Sequence, residues 1–355
     1  MIRRTLAGAA TFGLSVLTLR ALSERGAHRL LDAPRVRPGE EALGPALDAL
    51  GGEVVRIRSR DDLRLSARWL PGESDDTGWR RDPHEAIVLL HGYTGSIAPD
   101  LVEYGPFLRR TAGVLGLDFR GHGGSDAART TFGLHEVEDV TGALAWLGSR
   151  GVTCVALVGS SMGGITAIAS VVVLGDGVLG SADHLPDDPD GPRPELRPRI
   201  VAIVADSVAS SVVVPVATRL PGPAPTFLAE RLFDAAARTL GADPRATDPI
   251  KMVGLVDPVP LLLIHGEADT TVPAADARRL AAAAGPSAQH WMVPGAGHAG
   301  AHASEPVTYE TRVTDLLRAA FADWRTAVPI IGDPGPATVP IVPAPPIDPA
   351  LPVED

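Results

Sequence analysis

Thr153-Cys154-Val155-Ala156-Leu157-Val158-Gly159-Ser160-Ser161-Met162-Gly163-Gly164-Ile165-Thr166-Ala167-Ile168-Ala169-Ser170 decides the reading of this chain. Thr153 to Val158 is short, apolar and rich in β-branched residues, which predicts a buried strand, and Gly164 to Ser170 predicts the opening of a helix. Strand, sharp turn and helix form the context in which Gly159-Ser160-Ser161-Met162-Gly163 becomes a nucleophile elbow, with Ser161 at its apex. A strained turn would lift the Ser161 Oγ above the sheet edge, and side chains at Gly159 or Gly163 would collide with neighbouring backbone. A helix starting under the serine would turn free N–H groups and a positive dipole end toward any negative charge formed there. Taken alone, the match also describes an ordinary Gly/Ser-rich turn.

The rest of the chain narrows the choice. With 355 residues it is long enough for one large α/β domain or two small ones. Aromatic residues are only 4%, so the core falls to Ala, Val, Leu and Ile. A formal charge of −11 with no basic stripe excludes a nucleic-acid binder. The single cysteine, Cys154, cannot form an internal disulfide and reads as a buried structural thiol.

At the N-terminus, Arg3-Arg4 precede an apolar run from Leu6 to Leu19, followed by Arg20, Arg25, Arg29, Arg35 and Arg37. The run is shorter than the ~20 residues of a usual spanning helix, and no small-x-small cleavage site follows it. The preferred reading is an uncleaved anchor or membrane-surface helix, with membrane contact through residues 5–22. A helix packed on the domain, a cleaved signal, and a cytoplasmic or secreted location are the alternatives.

The folded domain is expected at 52–328, after an N-terminal segment and linker at 1–51. Val54 to Arg58 and Leu63 to Leu70 predict two half-buried strands joined at Asp61-Asp62, with a loop from Gly72 to Glu85. Ala86–Leu90, Val114–Leu117, Cys154–Val158, Ile200–Ala205, Leu261–Ile264 and His290–Val293 are continuous apolar runs, the pattern of strands covered on both faces. Helical stretches fall at Glu136–Leu147, Ala274–Ala284 and Val307–Trp324. This alternation predicts a mostly parallel, doubly wound α/β sheet of about eight strands, with ligands at the carboxyl ends of the strands. Residues 176–198 read as a surface insertion and 329–355 as a Pro-rich disordered tail. Residues 207–257, with a helix at Thr226–Leu240, sit where a small lid could cover the elbow.

Four further motifs each follow an apolar strand: His91-Gly92-Tyr93-Thr94-Gly95, Asp118-Phe119-Arg120-Gly121-His122-Gly123-Gly124-Ser125, His265-Gly266-Glu267-Ala268-Asp269-Thr270-Thr271-Val272-Pro273, and Gly295-Ala296-Gly297-His298. Five motifs at five strand ends in one order form a strong signal. From about Val54 to Trp324 the chain resembles a serine hydrolase of the α/β-hydrolase superfamily, in particular its esterase, lipase and serine-aminopeptidase-like groups. The order Ser161, Asp269, His298 is the order that superfamily uses. The resemblance implies Ser161 as nucleophile, His298 as proton shuttle and Asp269 as the acid that holds the histidine. It also implies oxyanion-hole N–H groups from the backbones of Tyr93 and Met162, with His91 and Asp118 to Ser125 as scaffold.

The chemistry needs these residue types. A serine hydroxyl is a weak nucleophile without a base in hydrogen-bond reach; a neutral imidazole takes its proton and returns it to the leaving group; a buried carboxylate fixes the imidazole tautomer. Rivals are Ser160 for the nucleophile, Glu267 or Asp206 (with Ser207) for the acid, and His290 or His302 for the base. His302, four residues after His298, also invites a metal reading, against which stand Gly297, Gly300 and the lack of a third clustered ligand. His122, between glycines, reads as structural. No cofactor and no metal is expected. The expected partner is a small-molecule ester, thioester or amide. An acyltransferase using the same triad and a non-catalytic, membrane-tethered binding protein are the competing functions. Val212 to Val216 with Phe227 and Leu228 suggest either an apolar acyl site or lid packing.

Overall fold

The computed structural model describes residues 20–73, 82–175 and 198–327. The apolar run Leu6 to Leu19, the tail at 329–355 and all of the 176–198 insertion except Pro198 lie outside them.

Eight strands form one sheet in the order β1-β2-β4-β3-β5-β6-β7-β8. They are β1 (Glu53–Arg58), β2 (Arg64–Leu70), β3 (Glu85–Leu90), β4 (Gly113–Leu117), β5 (Cys154–Ser160), β6 (Arg199–Asp206), β7 (Leu261–Gly266) and β8 (Ala288–Val293). β2 runs antiparallel to both β1 and β4, and every other pairing is parallel. β1 alternates buried and exposed residues, as a strand with one covered face must, whereas β3, β4, β5 and β7 are buried along their whole length. The continuous run His290–Val293 predicts the same for β8. Instead β8 is the edge strand of the sheet, and Gln289 and His290 are exposed, since among the described residues only β7 pairs with it.

The pleat sends alternate side chains of β3 to opposite cores. Ala86, Val88 and Leu90 join Val140, Leu144, Ile165 and Ile168 on one face, while Ile87 and Leu89 meet Leu101, Phe107, Val313 and Leu317 on the other. The first face is covered by α4 (Glu136–Ser149), α5 (Met162–Leu174) and α7 (Pro225–Leu240), and the second by α3 (Ala98–Leu108) and α11 (Pro306–Ala327); α6 (Val214–Ala217), α8 (Pro249–Met252), α9 (Ala274–Ala283) and α10 (Ala301–Ser304) lie between them in the chain. Parallel register aligns Leu90 with Leu117 and Gly159, Ser160 with Asp206, Asp206 with Ile264, and Gly266 with Val293. All five motif loops therefore leave the sheet at one edge.

The packed region starts earlier than Gly52. Helix α1 (20–31) buries Ala27 and Leu31 completely in the first core, and its Gly26 lies against Leu232 of α7. Arg68 Nη1 on β2 donates to the carbonyls of Leu47 and Gly51 (2.8 and 3.0 Å), fastening α2 (Gly44–Leu50) to the sheet. Only a short stripe of 20–50 is apolar, which is why the segment reads as linker. Leu31→Ala should therefore lower stability by about 2–5 kcal/mol, measured by urea unfolding. A change within about 0.5 kcal/mol, the ordinary surface value, would show that α1 is not part of the folded unit.

Candidate active site

The elbow forms between β5 and α5. Ser161 has φ 51° and ψ −114°, a conformation L residues seldom adopt, and α5 begins at the next residue, Met162. The tightness of the turn dictates its glycines. A Cβ on Gly159 would lie 2.6 Å from the Gly163 oxygen and 2.8 Å from the Gly164 nitrogen; one on Gly163 would overlap the Leu90 carbonyl and lie 2.8 Å from the His91 oxygen. Ser161 N–H donates to the Asp206 carbonyl at 2.8 Å, which ties the strained residue to β6.

Three of the expected residues come together. His298 Nε2 lies 3.1 Å from Ser161 Oγ, and His298 Nδ1 lies 2.7 Å from Asp269 Oδ2. Asp269 is 5% exposed. Burial acts to raise its pKa, but hydrogen bonds from His298 and from the N–H groups of Val272 (2.9 Å) and Thr271 (2.7 Å) outweigh it and hold the carboxyl below its ordinary value. An ionised Asp269 can only accept, so Nδ1 carries the imidazole proton and the bare Nε2 accepts from the serine hydroxyl. His265 Nε2, which donates to the Val272 carbonyl at 2.8 Å, stands 3.5 Å from the same Asp269 oxygen.

The loop after β3 faces the elbow. A Cβ on Gly92 would sit 3.7 Å from the Ser161 Cβ, so the backbone from His91 to Tyr93 passes beside Ser161. Both ring nitrogens of His91 are used: Nδ1 donates to the Gly92 carbonyl (2.7 Å) and Nε2 accepts from Phe119 N–H (3.0 Å). Burial pushes its pKa down to about 3, keeping it a neutral clamp between two loops. Asp118 likewise braces backbone, accepting from the N–H groups of Ile97 (2.8 Å) and Gly124 (2.9 Å). Tyr93 stacks on Phe132, with centroids 5.3 Å apart, and its hydroxyl donates to the Leu30 carbonyl at 2.7 Å.

The rivals separate from this line. Ser160 is buried, with Oγ 3.5 Å from Asp100 rather than at His298. Glu267 is exposed beside Arg278. His290 lies on the exposed edge of β8. His122 donates Nδ1–H to the Arg120 carbonyl at 2.9 Å. His302 pairs with Glu103 at 2.9 Å and packs among Tyr104, Phe107 and Tyr309. Among the described residues no group of three or more His, Cys, Asp or Glu could hold a metal ion. Asp206 has a supporting place: its Oδ1 accepts from Ser207 Oγ (2.8 Å), which accepts from Ala299 N–H (2.9 Å), beside His298. Burial raises the Asp206 pKa to about 6. Cys154 is a buried free thiol, and burial pushes it up to about 12. Val212 and Val213 belong to the core, whereas Phe227 at the start of α7 is exposed.

Sequence reasoning missed the segment that braces the loop after β3. Gly95 N–H donates to the Pro34 carbonyl (3.0 Å), Arg37 Nε donates to Thr94 Oγ1 (3.0 Å), and the buried Glu40 accepts from Ser96 Oγ at 2.8 Å. Isolated polar residues in 33–40 carry no periodicity or motif, so no pattern exposed them.

The profile of the Alpha/beta hydrolase family matches residues 87–311, more than half of the chain, and the chain belongs to that family. It is 24% identical over 292 residues to the uncharacterised protein YfhR of Escherichia coli K12, covering 81% of this chain and 84% of that one. Against YfhR of Escherichia coli O157:H7 the identity is 25% over 241 residues, 66% of this chain and 69% of that one. The esterase Pf2001 of Pyrococcus furiosus superposes with a TM-score of 0.57 at 21% identity, over 82% of this chain and 98% of that chain. The alpha/beta hydrolase GrgF of Penicillium gives 0.54 at 17% identity, over 76% and 99%. Among the described residues no helix is long and apolar enough to cross a membrane.

Two outcomes follow from the packing. Gly163→Ala forces backbone apart and should destabilise by about 1–3 kcal/mol, while Gly297→Ala, with open space at its Cβ, should stay within about 0.5 kcal/mol; thermal unfolding of both variants checks this. The lowered Asp269 pKa stabilises the fold above the ordinary carboxylate range, and that contribution is lost as pH falls through the folded value. Asp269→Asn should flatten the acid limb of a stability-against-pH curve.

Proposed function

We propose that this family member is a serine hydrolase that cleaves a carboxylic ester, or a related thioester or amide, through an acyl-enzyme on Ser161. The observation that carries the reading is the line Asp269–His298–Ser161, with hydrogen bonds of 2.7 and 3.1 Å ending at a serine in a strained turn at a helix start. Ser161 Oγ attacks the carbonyl as His298 Nε2 takes its proton. Asp269 stabilises the resulting imidazolium, and the backbone N–H groups of Tyr93 and Met162 receive the oxyanion. His298 then returns the proton to the leaving group. Water, deprotonated by the same Nε2, releases the acid and restores the serine.

A serine at the elbow, where haloalkane and epoxide hydrolases need an aspartate, favours acyl transfer. Esterases such as Pf2001 share the fold and support an ester as substrate. Transfer to an acceptor other than water uses the same intermediate, and competition with added alcohols separates the two outcomes. For location, the Leu6 to Leu19 run supports membrane association, to be tested by fractionating full-length protein and protein lacking residues 1–19.

A fluorophosphonate probe should label wild type and Ser160→Ala but not Ser161→Ala. Turnover of nitrophenyl esters should fall by at least about 10³-fold in Ser161→Ala and His298→Ala, and less in Asp269→Asn, without additivity. Labelling that survives Ser161→Ala and disappears in Ser160→Ala would overturn the assignment.

A further inference from the structure

The hydrolytic cycle leaves one cation beside the nucleophile unused. Arg37 is held on the oxyanion-side loop only through Nε, which donates to Thr94 Oγ1 at 3.0 Å. A Cβ on Gly92 would lie 3.7 Å from the Ser161 Cβ and 3.9 Å from Arg37 Nη2, so guanidinium and nucleophile border the same point. Among the described residues the two terminal nitrogens of Arg37 have no hydrogen bond or ion pair, and the side chain is exposed. Several other arginines are engaged: Arg120 with Asp61 and Asp139, Arg245 with Glu230, Asp234 and Asp243, and Arg35 on the carbonyls of Gly123 and Ser125.

The carboxylates near Arg37 have other work. Glu40 accepts from Ser96, and Asp100 faces Ser160, with burial pushing its pKa up to about 7 against the pull of the Arg37 charge, which stays outside ion-pair distance. A second guanidinium stands on the acid side. Arg219 donates to the Pro215 carbonyl (2.6 Å) and to Thr271 Oγ1 (3.3 Å), two residues from Asp269, and makes no ion pair among the described residues. In a chain of net charge −11, Arg37 beside Ser161 and Arg219 on the Asp269 loop are two guanidiniums with no ion pair among the described residues. A guanidinium fork fits a carboxylate in a way that a single ammonium cannot.

We propose that the substrate carries a carboxylate near its scissile ester and that Arg37, helped by Arg219, binds it. The inference rests on Ser161 as the reacting residue, and it assigns Arg37 to specificity rather than to bond making. Held this way, the carboxylate fixes which face of the ester meets Ser161, and neutral esters of equal size lose that orientation.

Two matched pairs test it. One places the charge on the acyl side, 4-nitrophenyl hydrogen adipate against 4-nitrophenyl heptanoate. The other places it on the alcohol side, 4-butyryloxybenzoate against its methyl ester. For one pair, wild type should favour the anion at least ~10-fold in kcat/KM, and Arg37→Gln should reduce that ratio by ~10-fold or more, mainly through KM; each 10-fold is 1.4 kcal/mol of selective binding. Arg37→Lys should recover part of it, and added salt should weaken the wild-type preference. Wild type that prefers the neutral member of both pairs would overturn the proposal, as would a ratio unchanged in Arg37→Gln, which would make Arg37 only a loop anchor. Equilibrium binding of the same esters to Ser161→Ala, with and without Arg37→Gln, reads the carboxylate contact without turnover. Absence of probe labelling at Ser161 would instead remove the hydrolase reading while leaving this binding test able to judge the arginine.

Discussion

Everything at the site depends on how closely α5 starts beneath the end of β3. Gly163 lies against the Leu90 carbonyl with no room for a methyl group, and Gly159 lies as close to Gly163. That approach forces Ser161 to φ 51°, where the Asp206 carbonyl holds its N–H. The strain has company. Phe132, Ser207 and Ala299 also have positive φ, and each touches the same assembly: Phe132 under Tyr93, and Ser207 and Ala299 joined by a hydrogen bond beside His298. Such residues cost about 1–3 kcal/mol each and persist only where packing over-determines them. Here the fully buried strands β3, β5 and β7 supply that packing.

Two buried aspartates at the ends of neighbouring strands, Asp206 closing β6 and Asp269 in the loop after β7, take opposite roles through their surroundings. Asp269 receives two backbone N–H groups and the His298 ring, so its charge is stabilised despite burial. Asp206 has one hydroxyl donor and an Oδ2 without a hydrogen-bond partner among the described residues, so burial dominates and its pKa rises. The first can hold an imidazolium; the second serves as a strut, through Ser207, for the backbone at Ala299. Distance along the chain would not have ranked them. The number of donors each receives does.

What was legible in the sequence was what repeats or clusters. Uninterrupted apolar runs marked β3, β4, β5, β6 and β7 because a strand covered on both faces leaves no polar positions, and glycine-rich motifs marked the strand ends because backbones must approach there. His290 misled for the same reason: an apolar run at an edge strand looks like one in the centre, and only the sheet order distinguishes them. Residues 20–50 were not legible as structure because their contacts are single and long-range, such as Leu30 to Tyr93, Pro34 to Gly95 and Glu40 to Ser96. Hydrophobic periodicity does not record a carbonyl that caps a distant loop.

Those contacts divide the site into two mechanical parts. The line from Asp269 to Ser161 is set by strand ends inside one sheet, so its geometry follows from the core. The loop of Gly92, Tyr93, Thr94 and Gly95 carries two glycines, and Gly95 has φ 92°, so its own sequence does little to hold its N–H groups in place. Its position is imposed from outside, by Leu30 on the Tyr93 hydroxyl, Pro34 on Gly95 N–H and Arg37 on Thr94. The segment that holds this loop is joined to helix α1, whose Gly26 packs against Leu232 of α7. The N-terminal segment therefore links α7 to the loop beside Ser161, and it reaches that loop through the Leu30 and Pro34 carbonyls and the Arg37 side chain rather than through Ser161, His298 or Asp269.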